Sequence, residues 1–115
     1  MTKQISFTWT GRACGVNNRY CNRSYNLTPQ YRKFVADLAM ACRLQNPGIY
    51  LDGELALTIE MIIDWRRDSD SLLKPLFDAI QHSGVIGDDR QIKSYAVRVR
   101  EKARGAMDEI TVKGK

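Results

Sequence analysis

The stretch that decides the fold is residues 53–81, GELALTIEMIIDWRRDSDSLLKPLFDAIQ. Its first half sets Leu55, Leu57, Ile59 and Met61 on one face and Ala56 and Thr58 on the other, the period of two expected of a strand. Ile62, Ile63 and Trp65 carry that strand, apolar enough to be central in a sheet, into Arg66-Arg67-Asp68-Ser69-Asp70. From Ser71 to Gln81 the period becomes helical, with Leu72, Leu73, Leu76, Phe77 and Ile80 on one stripe and Gly84 as a natural terminator. Pro75 falls at the fourth position of a helix capped by Ser71, where a backbone hydrogen bond would be lost. The first turn is therefore expected to be irregular, or the helix to begin later.

Upstream, Ile5, Phe7 and Trp9 alternate with Gln4, Ser6 and Thr8 and predict a first strand over residues 3–10. Gly11 to Leu27 has no sustained period and reads as a long loop, a length that is uncommon in small domains unless the loop is mobile or does work. Arg12, Arg19 and Arg23, with Tyr20 and Tyr25, offer phosphate contacts and stacking surfaces there; a merely solvated loop is the bland alternative. Thr28-Pro29 opens a helix with a hydroxyl cap and a proline whose missing N–H loses nothing. That helix should run to about Leu44, with Tyr31, Phe34, Val35, Leu38, Ala39 and Cys42 facing the core.

Downstream, Val85 to Asp89 makes a tight return. Tyr95, Val97 and Val99 then alternate with Arg98 and Arg100 in a third strand, and a turn near Gly105 leads to a fourth containing Ile110 and Val112, completing a hairpin. The expected architecture is one α+β domain spanning residues 1–115, with a small mixed sheet of about four strands and two main helices in the order β-α-β-α-β-β.

The net charge of +5 is unevenly distributed. Residues 1–51 carry seven basic side chains against Asp37 alone, residues 52–89 three against nine acids, and residues 90–115 eight against three. Basic flanks around an acidic centre suit an enzyme that grips a polyanion and holds a metal at the reacting phosphate, although a solvated surface also produces such blocks. No stretch is apolar for the roughly 20 residues of a membrane helix, and the N-terminus lacks the pattern of a signal peptide. A soluble, cytoplasmic protein is expected. Cys14, Cys21 and Cys42 form no CxxC pair and His82 is the single histidine, so reduced thiols are expected in place of a disulfide framework or zinc site.

Asp68 and Asp70 share a face if their segment is extended, close enough to share a divalent cation, and a third carboxylate could return to it after the helix. A DxD also forms an ordinary helix N-terminus, where Asp accepts backbone N–H bonds. A calcium loop fails on spacing, because position six is Leu73 and position twelve Ala79. Lys74 is a candidate partner for Asp78 at i,i+4, or a cation for an anionic substrate.

The run Asp68-Ser69-Asp70-Ser71-Leu72-Leu73-Lys74, then Phe77-Asp78-Ala79-Ile80, His82, Gly84 and Asp88-Asp89-Arg90-Gln91-Ile92, resembles the signature of the RusA family of Holliday-junction resolvases. Asn17-Asn18-Arg19-Tyr20 before the first helix, followed by Tyr31-Arg32, extends the resemblance over nearly the whole chain. It implies a homodimeric endonuclease, common in phages and prophages, that cuts four-way branched DNA symmetrically with Mg²⁺. By motif position Asp68, Asp70 and Asp89 match the family's metal-binding carboxylates and Lys74 its catalytic lysine. Asp88 ranks below Asp89. Asn18, Arg19, Tyr20, Arg23, Arg66, Arg67 and Ser71 are the residues expected at the DNA. Ser71 departs from the family, which usually has Asn after the second Asp, so a role needing the amide's donors is in question. A non-catalytic branched-DNA-binding protein of the same fold, and a nuclease for other branched DNA, are the alternatives. The nuclease reading expects Asp68, Asp70 and Asp89 to converge on a shared ion near Lys74.

Overall fold

The computed structural model describes residues 3–15, 28–64 and 69–115. In chain order its elements are β1 (Ile5–Gly11), α1 (Pro29–Gln45), β2 (Leu55–Ile63), a 3-10 turn at Ser69–Leu72, α2 (Leu73–His82), a second 3-10 turn at Asp89–Gln91, β3 (Ile92–Glu101) and β4 (Asp108–Gly114). This is the expected α+β domain with the expected order. At α1 the Thr28 Oγ1 accepts from the Tyr31 N–H at 3.2 Å, as the sequence predicts for a hydroxyl cap before proline. Pro75 also behaves as its chemistry requires. The 3-10 turn takes up the start, α2 begins at Leu73, and Pro75 becomes its third residue, within the first turn whose N–H groups have no intrahelical acceptor. After α2, Gly84 adopts φ +85°, which a side chain would strain.

The four strands form one sheet in the order β1-β4-β2-β3. β2 and β3 are parallel, joined through α2, whereas β4 is antiparallel to both β1 and β2. The expected hairpin of the last two strands is therefore corrected: β4 crosses β2 and inserts between it and β1. The reason lies in burial. β4 can cover hydrophobic neighbours on both sides, and Ile110 and Val112 are fully buried there, while β3 has only Ile92 and Val97 even half-buried. The connection after Glu101 is long enough to step over one strand, and Lys102 N–H donates to the Ile63 carbonyl at 3.1 Å as it crosses the end of β2.

One face of the sheet carries the core. Ile5, Phe7 and Trp9 of β1, Ile110 and Val112 of β4, and Leu55, Leu57, Ile59, Met61 and Ile63 of β2 are buried with Phe34, Leu38 and Cys42 of α1 and Leu76, Ala79 and Ile80 of α2. Trp9 and Phe34 meet at 4.9 Å between ring centroids, a tilted packing that joins β1 to α1. Cys14 and Cys42 are buried, and burial pushes the Cys42 thiol above its usual range. Cys21 lies outside the described residues. Among the described residues no helix is long and apolar enough to cross a membrane.

The two outer edges differ. Along β1, Ser6 N–H donates to Asn46 Oδ1 and Asn46 Nδ2 donates to the Ser6 carbonyl, both at 3.0 Å. Thr8 repeats the pattern with Gln45, its N–H donating at 3.0 Å and its carbonyl accepting at 2.9 Å. Two side-chain amides thus stand in for a further strand. On β3 no described strand pairs with the outer edge.

Candidate active site

The β2-α2-β3 unit fixes where each acidic group stands. The chain leaves β2 at Ile63 and reaches Asp70, which is exposed in the 3-10 turn that leads into α2. Lys74 follows in the first helical turn, and its ammonium lies 3.0 Å from Asp78 Oδ1, so the i,i+4 pairing anticipated from sequence is present. Tyr31 donates its hydroxyl to the other Asp78 oxygen at 3.4 Å. The lysine is thereby held one turn from Asp70. Asp68, Arg66 and Arg67 lie outside the described residues.

The N-terminal segment arrives at the same place. A Cβ on Gly15 would stand 2.4 Å from Ser71 Oγ and 2.9 Å from Ser71 Cβ, too close for any side chain. Glycine lets this backbone lie directly on the residue after Asp70. The approach is held from the other side by Asp108, a carboxylate only 3 % exposed, whose Oδ2 accepts the Ala13 N–H at 2.9 Å while Lys102 Nζ lies 3.3 Å from its Oδ1. Neither Gly15 nor Asp108 was legible as a site residue, because each acts on a segment distant in sequence. Asn18, Arg19, Tyr20 and Arg23, next along that segment, fall outside the described residues.

Asp88 and Asp89 divide their roles. Asp88 caps the second 3-10 turn: Oδ1 accepts the Arg90 N–H at 2.8 Å, and Oδ2 accepts Arg90 Nε at 3.1 Å and Nη2 at 2.8 Å. These bonds from Arg90 draw the Asp88 carboxyl down to about 2. Gln91 completes the box, its Oε1 taking the Asp88 N–H at 3.0 Å and its Nε2 donating to the Leu51 and Gly53 carbonyls at 3.0 Å each. Asp88 is thus committed to a structural cap. Asp89 is half-buried, and its N–H donates to Gln81 Oε1 at 3.0 Å.

Within one chain Asp70 and Asp89 are not brought together. β2 and β3 run parallel with Leu55 opposite Ile92 and Ile63 opposite Glu101. Asp89 therefore stands at the end where β2 begins, and Asp70 at the end where β2 finishes. The ten residues of α2 separate them by about 15 Å of helix axis, too far for one ion to bridge. Among the described residues no three His, Cys, Asp or Glu side chains group around a possible metal.

The fold and this turn define a small α+β domain in which Asp70, Lys74 and the N-terminal segment come together at the start of one helix. The family described as endodeoxyribonuclease RusA matches residues 11–113, and the chain belongs to that family. No curated protein matches the chain.

Proposed function

We propose that this chain is a Mg²⁺-dependent endodeoxyribonuclease that resolves four-way DNA junctions by paired, symmetric nicks, working as a homodimer. The observation that supports this most directly is the meeting of Asp70, Lys74 and the Gly15 segment at the start of α2, in a chain whose family is one of endodeoxyribonucleases.

Asp68, Asp70 and Asp89 offer oxygen donors alone, the chemistry Mg²⁺ selects, and Asp70 is exposed as a ligand that leaves room for water and phosphate must be. Bound there, the ion would lower the pKa of the attacking water and polarise the scissile phosphodiester. Since Asp89 stands at the other end of α2, the Asp89 that joins Asp68 and Asp70 comes from a second copy. Two-fold symmetry then supplies two such sites, one for each strand to be nicked. Lys74, held by Asp78, places positive charge where it builds up on the phosphate, a role that depends on its being positioned beforehand. Asn18, Arg19, Tyr20, Arg23, Arg66, Arg67 and Ser71 would contact the DNA.

Asp70→Asn tests the reading. Binding of a labelled four-way junction should persist while Mg²⁺-dependent cutting falls by at least a hundredfold; an unchanged cutting rate removes Asp70 from the site. The binding-module alternative rests on Ser71, which lies beneath Gly15 where the family usually has Asn. Wild-type protein that retards the junction in Mg²⁺ without nicking it would favour that alternative. Linear duplex, flap and junction compared at one salt concentration decide the substrate shape.

A further inference from the structure

We infer that the turn joining β3 to β4 is a further DNA contact of this chain, in which Arg104 meets a backbone phosphate within one helical turn of the scissile one. The inference deepens the nuclease reading, on which it rests for the place of the scissile phosphate at Asp70, and it names a basic element apart from the residues already expected at the DNA.

Three observations carry it. The first is charge. From β3 into the turn, Arg98, Arg100, Lys102 and Arg104 recur at every second residue. Two of these cations are engaged within the chain, Arg100 Nε lying 3.8 Å from Glu60 Oε2 and Lys102 Nζ 3.3 Å from Asp108 Oδ1. Arg104 is exposed and pairs with no described carboxylate. The second observation is shape. Ala106 N–H donates to the Ala103 carbonyl at 3.0 Å, Gly105 at the corner has φ +81°, and the Lys102–Asp108 pair closes the base. Arg104 thus stands on a preformed turn, and little backbone freedom is lost when an anion binds it.

The third observation is place. Through Lys102 N–H and the Ile63 carbonyl the turn crosses the end of β2, from which the chain runs on to Asp70. Asp108 at its base accepts the Ala13 N–H at 2.9 Å, and two residues further on Gly15 lies against Ser71, the neighbour of Asp70. Two extended residues span about 7 Å, so the base of the turn is within roughly 20 Å of Asp70, the rise of about six nucleotides along one strand. The end of the sheet that presents the acid for the ion also presents an unneutralised guanidinium, which suits a phosphate beyond the one being cut. A solvated arginine would look the same at rest, and the salt dependence of binding separates the two.

Fluorescence anisotropy of a labelled four-way junction, titrated without divalent ion at several salt concentrations, tests the turn. Arg104→Ala should weaken binding roughly five- to tenfold at about 0.1 M salt and lower the slope of log Kd against log salt by roughly one, the signature of a lost phosphate contact. Arg104→Lys should keep the slope, because an ammonium still neutralises the phosphate. Lys115→Ala removes the same charge beyond the other end of β4, where Lys115 pairs its backbone with Ala56, and should leave affinity and slope as they are. Both side chains are exposed, and circular dichroism will confirm that the variants fold. An unchanged slope in Arg104→Ala, a slope that Arg104→Lys does not recover, or an equal loss in Lys115→Ala would each overturn the inference. Wild-type protein that shows the expected slopes but never nicks the junction would sink the nuclease reading and leave the turn its contact. Protein that nicks junctions while Arg104→Ala binds them as the wild type does would leave the nuclease reading and remove the turn.

Discussion

At the β1 edge, backbone groups of Ser6 and Thr8 are satisfied by Asn46 and Gln45 from the end of α1. At the β3 edge, a longer strand meets solvent with Tyr95 and Val99 on one face and Arg98 and Arg100 on the other. The first edge is finished within the chain, so what it does for the molecule is read in the stability of the monomer. The second is not paired by any described strand. A closed edge works against open-ended aggregation of the sheet.

The comparison breaks most visibly at Asn46. This side chain is 4 % exposed and bonds Ser6 twice and the Cys42 carbonyl at 2.8 Å. Asn46→Ala removes two half-buried bonds to the Ser6 backbone and a buried one to the Cys42 carbonyl, and should lower unfolding free energy by about 2–3 kcal/mol in urea titration. A loss below about 1 kcal/mol would show that packing alone closes that edge.

Val99→Lys probes the other side. At its exposure the change should shift the stability of the chain by no more than about 0.5 kcal/mol in urea titration. A chain destabilised by more than about 1.5 kcal/mol would mean that it covers Val99 itself, and the contrast between the edges would disappear.

The smallest effect is expected at the entry to β3. Arg90 holds the Asp88 carboxyl at about 2, below its ordinary 3.8, so the cap favours the folded state above about pH 4 and loses that contribution as pH falls through about 2. Asp88→Asn keeps an acceptor for the Arg90 N–H but removes the titration. Exchange of the Arg90 and Gln91 amides should become faster in the wild type between pH 4 and pH 2, after correction for intrinsic rates, and show no such change in the variant.

Much of the fold was legible because its signals are local. Thr28-Pro29 specified the start of α1, alternation specified β1 and β2, and Pro75 announced a delayed α2. The order of strands was less accessible. Ile110 and Val112 read equally well as the second arm of a hairpin, and only their burial between β1 and β2 separates the two arrangements. At the candidate site, Asp70, Lys74 and Asp89 were named from the family resemblance, and their spacing along the chain says nothing about which end of α2 each occupies. Asp108 and Gly15 carried no signal at all, since a buried carboxylate that anchors Ala13 looks in sequence like any strand-terminal acid.

By itself the sequence determined the periodicities, the caps, the acidic turn and the family resemblance, because hydrogen bonds and side-chain faces within a few residues depend on those residues alone. Tertiary structure decided that β4 lies inside the sheet, that Gly15 rests on Ser71, and that Asp70 and Asp89 face opposite ends of α2. Those outcomes depend on which distant surfaces exclude water together, a competition among whole elements that no local stretch encodes.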